Sequence, residues 1–326
     1  MKNMFYGNEI CCGSYACLNA MKNEKIPWKL FEISASVPFG VMHMEDGTFD
    51  RLLTTYCNPN IGIDRAVPLW GYEQEKREFS DADAATAYLR KKLPESPAVL
   101  GPVDMKGLYY LPFSYLYRRM DHYVSMEETA DHKIRCVDSE GVNGYPLEYE
   151  QLPKLMQTEN LPEASEKIWI RSFVKKKEYD KTEILTESLK YAYRNLCDAE
   201  HAGHGSRAYR DCFIYLADQN VKLWKLPLLY DLNYLIQRKL LLILLLEELG
   251  KERIMDSILL DRIKALTEKQ LKLFAVMVGK LRQTDTIEKE DFDGAADCEE
   301  GIREGMVEIE VQVTTATKAE DRRNEI

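Results

Sequence analysis

Three short stretches of this chain carry residue types able to do nucleophilic chemistry. In Glu9-Ile10-Cys11-Cys12-Gly13-Ser14-Tyr15-Ala16-Cys17, a cysteine followed by glycine opens a predicted helix. A thiol there meets the positive end of the helix dipole, which favours the thiolate, the form that attacks. Gly13 would let a substrate carbonyl approach the Cys12 backbone N–H, a possible oxyanion donor. Such a cysteine needs a base within reach. Asp121-His122-Tyr123-Val124 opens one predicted strand, and Val137-Asp138-Ser139 closes the next. The polar turn 127–132 joins them as a hairpin, so these two ends lie side by side. A carboxylate beside an imidazole fixes its tautomer and stabilises the imidazolium. Cys12, His122 and Asp138 therefore form a candidate nucleophile, base and orienting acid. Each also has an ordinary structural reading, as a core cysteine or a strand-end polar residue.

Other residues point less sharply. His43, in Met42-His43-Met44-Glu45-Asp46, lacks metal-ligand spacing and reads as a loop or surface residue. His201 and His204, with Arg207 and the glycines between them, could contact an anion such as a phosphate, or could simply lie in an interhelical loop. Tyr109, Tyr110, Tyr115 and Tyr117 read as core and cleft wall. The eight cysteines include no CxxC pair, so no zinc site is expected.

The elements needed to position the three residues are legible in outline. Residues 13–23 and 81–93 have helical spacing, the second with Ser80 or Asp81 as cap. Residues 99–104, 122–126 and 133–138 read as strands, and Gly141, Gly144 and Pro146 as a loop. From about 180 the pattern turns helical, with apolar repeats over 184–196, 228–249 (Gly250 as its stop) and 256–283. Beyond Thr284 the chain is acidic. Residues 306–313 alternate like a strand, and 314–326 read as disordered.

Acidic residues outnumber basic ones, 54 to 44, for a net charge of −10. With basic runs no longer than Arg90-Lys91-Lys92 and Lys175-Lys176-Lys177, a nucleic-acid partner is not expected. The apolar run 240–246 is far below the roughly 20 residues of a membrane span. No export signal is visible, which points to a cytoplasmic protein with reduced thiols.

Taken together, Cys12-Gly13-Ser14 before a helix, Val103-Asp104-Met105 through Tyr110-Leu111-Pro112-Phe113, and His122-Tyr123-Val124 with Val137-Asp138 resemble the papain-like superfamily. The order is similar to that of cysteine peptidases that remove bacteriocin leaders, and closer to the family named for butirosin biosynthesis protein H. Where that family has histidine before the nucleophile, this chain has Cys11. Asn8 is the nearest amide to the glutamine that peptidase relatives use as oxyanion donor.

The resemblance implies an α+β fold: a papain-like catalytic domain over 1–165, a helical domain over 166–285 and an acidic, partly disordered tail over 286–326. It implies an acyltransferase of specialised metabolism with Cys12, His122 and Asp138 catalytic. Asn8, Gly13 and Tyr110 would serve the oxyanion or the substrate. The donor would be the phosphopantetheine thioester of an acyl or peptidyl carrier protein. The acceptor would be an amine-bearing small molecule, with no bound cofactor. Two further readings stand beside it: a cysteine peptidase or amidase, and an inactive papain-like module that binds a carrier protein or peptide.

Overall fold

The computed structural model describes residues 11–23, 25–35, 40–44, 52–55, 59–112, 114, 121–140, 143–156, 158, 161, 167–197, 205–219 and 221–324. In chain order the elements are α1 (Cys12–Met21), α2 (Trp28–Ala35), β1 (Met42–His43), β2 (Leu53–Thr54), α3 (Pro59–Leu69), β3 (Tyr72–Phe79), α4 (Ala82–Lys92), β4 (Ala98–Asp104), β5 (Asp121–Glu128), β6 (Ile134–Val137) and β7 (Asn143–Leu147). There follow α5 (Leu152–Leu155), β8 (Ile168–Lys175), α6 (Lys181–Cys197), α7 (Ser206–Ala217), α8 (Val221–Lys251), α9 (Ser257–Thr284) and α10 (Lys289–Asn324). The fold class is α+β. The chain divides into two compact units, one of Met1–Ser36 with Asn58–Asp180, the other of Val37–Cys57 with Lys181–Ile326.

The first unit is built on a six-stranded antiparallel sheet in the order β3-β8-β4-β5-β6-β7. Its core joins Leu100, Val103, Val124, Met126, Ile134, Cys136 and Ile170 of the strands to Ala85 and Leu89 of α4. The α4 start follows the cap expected of it, because the Asp81 carboxylate accepts from the Asp83 and Ala84 N–H groups. Helix α3 is tied to the sheet through Asp64. That carboxylate accepts from Lys76 Nζ at 2.7 Å and Gln74 Nε2 at 2.8 Å, and lies 3.4 Å from buried Arg171.

Two expectations change here. The strand β8 lies in the 166–285 stretch read as helical, yet it pairs with β3 and β4, so the first unit runs to Asp180. Ile168 and Ile170 of β8 are buried in the core of that unit's sheet. Gly144 and Pro146, read as a loop, lie in β7. This strand is at the sheet edge, where a residue without an N–H is tolerated.

In the second unit the short β1–β2 pair is held to α8 by buried Asp231, which accepts from the Leu52 and Leu53 N–H groups at 2.6 and 2.9 Å. His43, expected in a loop or at the surface, is buried in β1 with its ring 5.8 Å from that of Tyr215. Helix α8 packs on α9, α9 on α10 and α10 on α7. Of the stretch read as a strand and a disordered end, residues 306–324 lie instead in helix α10. Its buried residues Phe292, Ala295, Ala296, Glu299, Ile302, Met306 and Ile309 recur every three or four positions, a helical stripe that a short window over 306–313 hides. The α8 helix runs one residue past Gly250, to Lys251.

Lys239 of α8 and Glu299 of α10, each 1% exposed, meet at 2.7 Å, and Gln270 of α9 donates to the same carboxylate at 2.9 Å. Lys239→Met leaves that carboxylate buried without its cation. It is expected to lower stability in urea titrations by about 3–5 kcal/mol, much of it restored in Lys239→Met/Glu299→Leu. Among the described residues no helix is long and apolar enough to cross a membrane.

Candidate active site

The site begins where α1 begins. Cys11 is its N-cap, with φ −61° and ψ 143°, and its side chain makes no capping hydrogen bond. The first bond inside the helix runs from the Tyr15 N–H to the Cys11 carbonyl at 2.9 Å. The N–H groups of Cys12, Gly13 and Ser14 therefore have no acceptor within the helix. Helix α1 packs closely on β5 and α3. A Cβ on Gly13 would stand 3.1 Å from Ile63 Cδ1 and 3.7 Å from the Tyr123 ring. Gly13 is thus buried packing, a correction to its expected opening toward a substrate. What it permits is the close seating of the helix that carries Cys12 beside the strand that carries His122.

The hairpin delivers the other two residues as expected. Ser125 pairs with Val137, so His122 and Asp138 leave the β5–β6 ladder at the same end. The β4–β5 ladder breaks between Leu100 and Val103, and Val103 then pairs with His122. A bulge of this kind re-aims the strand beside it. Gly101 sits in it at φ 154°, where a Cβ would fall 2.5 Å from Tyr123 and 2.8 Å from the His122 carbonyl oxygen, so only glycine fits.

His122 Nε2 lies 2.8 Å from Asp138 Oδ1, with His122 3% and Asp138 0% exposed. The same Oδ1 accepts from the Glu140 N–H at 2.9 Å, a local turn that locks the carboxylate. Oδ2 accepts from the Tyr110 hydroxyl at 2.8 Å. The Cys136 thiol in turn donates to Tyr110 Oη at 3.3 Å, and the Tyr110 ring stacks on Tyr145 at 5.1 Å. The Cys12 side chain lies close enough to the His122 ring to raise its pKa.

Burial opposes charge on His122, but Asp138 and Cys12 more than offset it and raise its pKa well above the ordinary histidine value. Burial would likewise raise Asp138. The His122 ring, the Glu140 N–H and the Tyr110 hydroxyl instead hold it below the usual carboxylate range. Both shifts favour the charged forms, carboxylate for Asp138 and imidazolium for His122. Elsewhere burial dominates: it pushes the Cys17 thiol up to about 12, and raises Cys136 as well.

These directions fix a pH dependence. The folded state binds the His122 proton more tightly than the unfolded chain does. That contribution is complete below about pH 6.5 and fades as pH rises through the folded value. Asp138 contributes above about pH 3.9 and loses its contribution as pH falls through its own depressed value. The stability difference between wild type and His122→Gln, followed by urea titration, is expected to be widest between these limits and to shrink on the alkaline side.

Of the residues singled out from sequence, Cys12, His122 and Asp138 come together. Tyr110, expected at the substrate or oxyanion, instead spends its hydroxyl on Asp138, which lies behind His122 as seen from Cys12. Asn8, His201, His204, Tyr115 and Tyr117 lie outside the described residues. Arg207, read with those histidines as an anion contact, pairs with Asp211 along α7 at 3.2 Å. The Glu140 N–H and the Cys136 thiol were missed. An Asp-Ser-Glu turn after a strand was a signal for the first, and nothing local signalled the second.

No protein-family model matches the chain. It is similar to an uncharacterized protein of Bacillus subtilis (strain 168), YobF, with 28% identity over 222 residues, 66% of this chain and 70% of that protein.

Proposed function

We propose that the first unit is a papain-like catalytic domain and that the protein is a cysteine-dependent acyltransferase. The observation that carries this reading is the placing of Cys12, at the first position of α1, beside the His122 ring, which Asp138 holds from Nε2 at 2.8 Å. The motif order shared with the butirosin biosynthesis protein H family supports the choice of transfer to an amine. The donor is then a phosphopantetheine thioester on a carrier protein, which belongs in the cytoplasm.

In the first half-reaction the Cys12 thiolate attacks the thioester carbonyl, and the oxyanion faces the backbone N–H of Cys12. The carbon–sulfur bond to the donor breaks, and the departing thiolate takes its proton from the His122 imidazolium. Cys12 then carries the acyl group and no charge. One of the groups that raised the His122 pKa is thereby removed, so the ring, now neutral, is available as base. An amine attacks the acyl carbonyl, His122 accepts its proton, and the tetrahedral intermediate expels the Cys12 thiolate to leave an amide. Asp138 keeps the ring in one tautomer throughout.

The test is incubation with carrier-bound acyl thioesters and a panel of amines, with products separated by liquid chromatography and mass. Amide formation supports the transferase. Release of free acid alone, or cleavage of peptides, makes the protein a thiol hydrolase. Binding of the carrier without either product would leave the inactive module and overturn the enzymatic reading.

A further inference from the structure

We infer that Tyr110 is a positioning residue that acts on the nucleophile through Asp138, and that Cys136 orients Tyr110 for this task. The inference rests on the nucleophile–base–acid reading above. Asp138 is 0% exposed and has two oxygens to satisfy. Oδ1 is shared by His122 and the Glu140 N–H. The Tyr110 hydroxyl supplies Oδ2 with a donor at 2.8 Å. A phenol oxygen can both donate and accept, so its proton could point elsewhere. The Cys136 thiol removes that freedom. It donates to Tyr110 Oη at 3.3 Å, which directs the tyrosine proton to Asp138. Both hydrogens are held under working conditions, because burial raises the tyrosine and the thiol far from neutrality. Stacking on Tyr145 fixes the ring plane.

The consequence is a five-group line, Cys136 to Tyr110 to Asp138 to His122 to Cys12, in which the carboxylate cannot rotate. A carboxylate held by one oxygen only could swing, carry the imidazole with it and lengthen the His122–Cys12 contact. Loss of the Tyr110 donor also raises the proton affinity of Asp138, since that hydrogen bond is among those that depress it. These two effects act on Cys12 only by way of Asp138 and His122.

The experiment is the rate of Cys12 alkylation by iodoacetamide, read at the peptide carrying Cys11 and Cys12 by mass spectrometry, over a pH series in which far-ultraviolet circular dichroism confirms the fold. Tyr110→Phe keeps the ring and its stacking. It is expected to slow alkylation at pH 7 by about three- to tenfold, the share of one charge-assisted hydrogen bond that reaches the neighbouring pair. It should also move the acid limb of the profile to higher pH. In an Asp138→Asn background the same substitution is expected to add nothing, because its route to Cys12 is already cut. Cys136→Ala, which frees the phenol proton, should move the limb in the same direction by less.

A Tyr110→Phe profile that coincides with wild type, or an effect of equal size with and without Asp138, would overturn the inference while leaving the nucleophile intact. A wild-type rate unaffected by His122→Gln would instead remove the nucleophile–base reading and this inference with it.

Discussion

Cys12→Ser is expected to abolish acyl transfer, lowering the rate of amide formation by about 10⁴- to 10⁶-fold, the range seen when a covalent nucleophile is removed. The size of the effect follows from the chemistry of the two atoms. Sulfur gives up its proton to a nearby imidazole, whereas a serine hydroxyl beside the same ring keeps its own. The His122 contact and the first-turn N–H groups would still be present in the variant. The loss would therefore report the missing nucleophile and not a damaged site. Cys12 is half-buried at a helix start, so the exchange of sulfur for oxygen leaves the fold in place. Cys11 lies outside the line to His122, and Cys11→Ser is expected to retain transfer. Quantifying the amide product by liquid chromatography and mass for both variants separates the neighbours. Activity in Cys12→Ser together with its loss in Cys11→Ser would move the nucleophile by one residue.

His122→Ala is expected to lower transfer by about 10²- to 10⁴-fold, the contribution of a positioned general base. It should also lower stability by about 3–5 kcal/mol, because it leaves the Asp138 carboxylate fully buried with its cationic partner gone. The two losses have different causes and can be pulled apart. Asp138→Asn removes the buried charge, so His122→Ala/Asp138→Asn should regain much of the stability of wild type in urea titrations. The double variant should regain none of the activity, since no base remains. Recovery of activity with stability would mean that His122 supports the fold alone.

Local pattern made the centre of the site legible. The β5–β6 hairpin is written in two apolar runs around a polar turn, and a hairpin forces its outer ends together, so His122 and Asp138 meet. The Cys-Gly step at a helix start marked Cys12, but it suggested a substrate-facing role for Gly13. In the folded chain the glycine serves contact with Ile63 and Tyr123. Only the packing of α1 on a strand more than a hundred residues away shows this. Tyr110 lacked a local signal for the same reason, because its partners Asp138 and Cys136 come from after the hairpin turn.

The elements that escaped sequence reading have identifiable causes. The edge strand β3 reads Tyr-Glu-Gln-Glu-Lys-Arg-Glu-Phe, charged as solvent-facing edges are, and offers little apolar alternation to detect. The edge strand β7 carries Gly144 and Pro146, which mark turns elsewhere. Residues 37–57 join the second unit although they lie deep in the first by sequence. Asp231, some 180 residues on, binds their backbone. Such a long-range tether leaves no trace in a local window. Helix α10 was hidden by the opposite problem, a short alternating stretch inside a much longer helical repeat.

The measurement that bears most directly on the central claim is intact-protein mass spectrometry after incubation with a panel of acyl-pantetheine thioesters, on wild type, Cys12→Ser and Cys11→Ser. The expected result is a mass gain of one acyl group in wild type and Cys11→Ser, absent from Cys12→Ser and discharged when an accepting amine is added. An acyl adduct that persists in Cys12→Ser, or the absence of any adduct from every donor while Cys12 still reacts rapidly with iodoacetamide, would contradict an acyl-enzyme at Cys12.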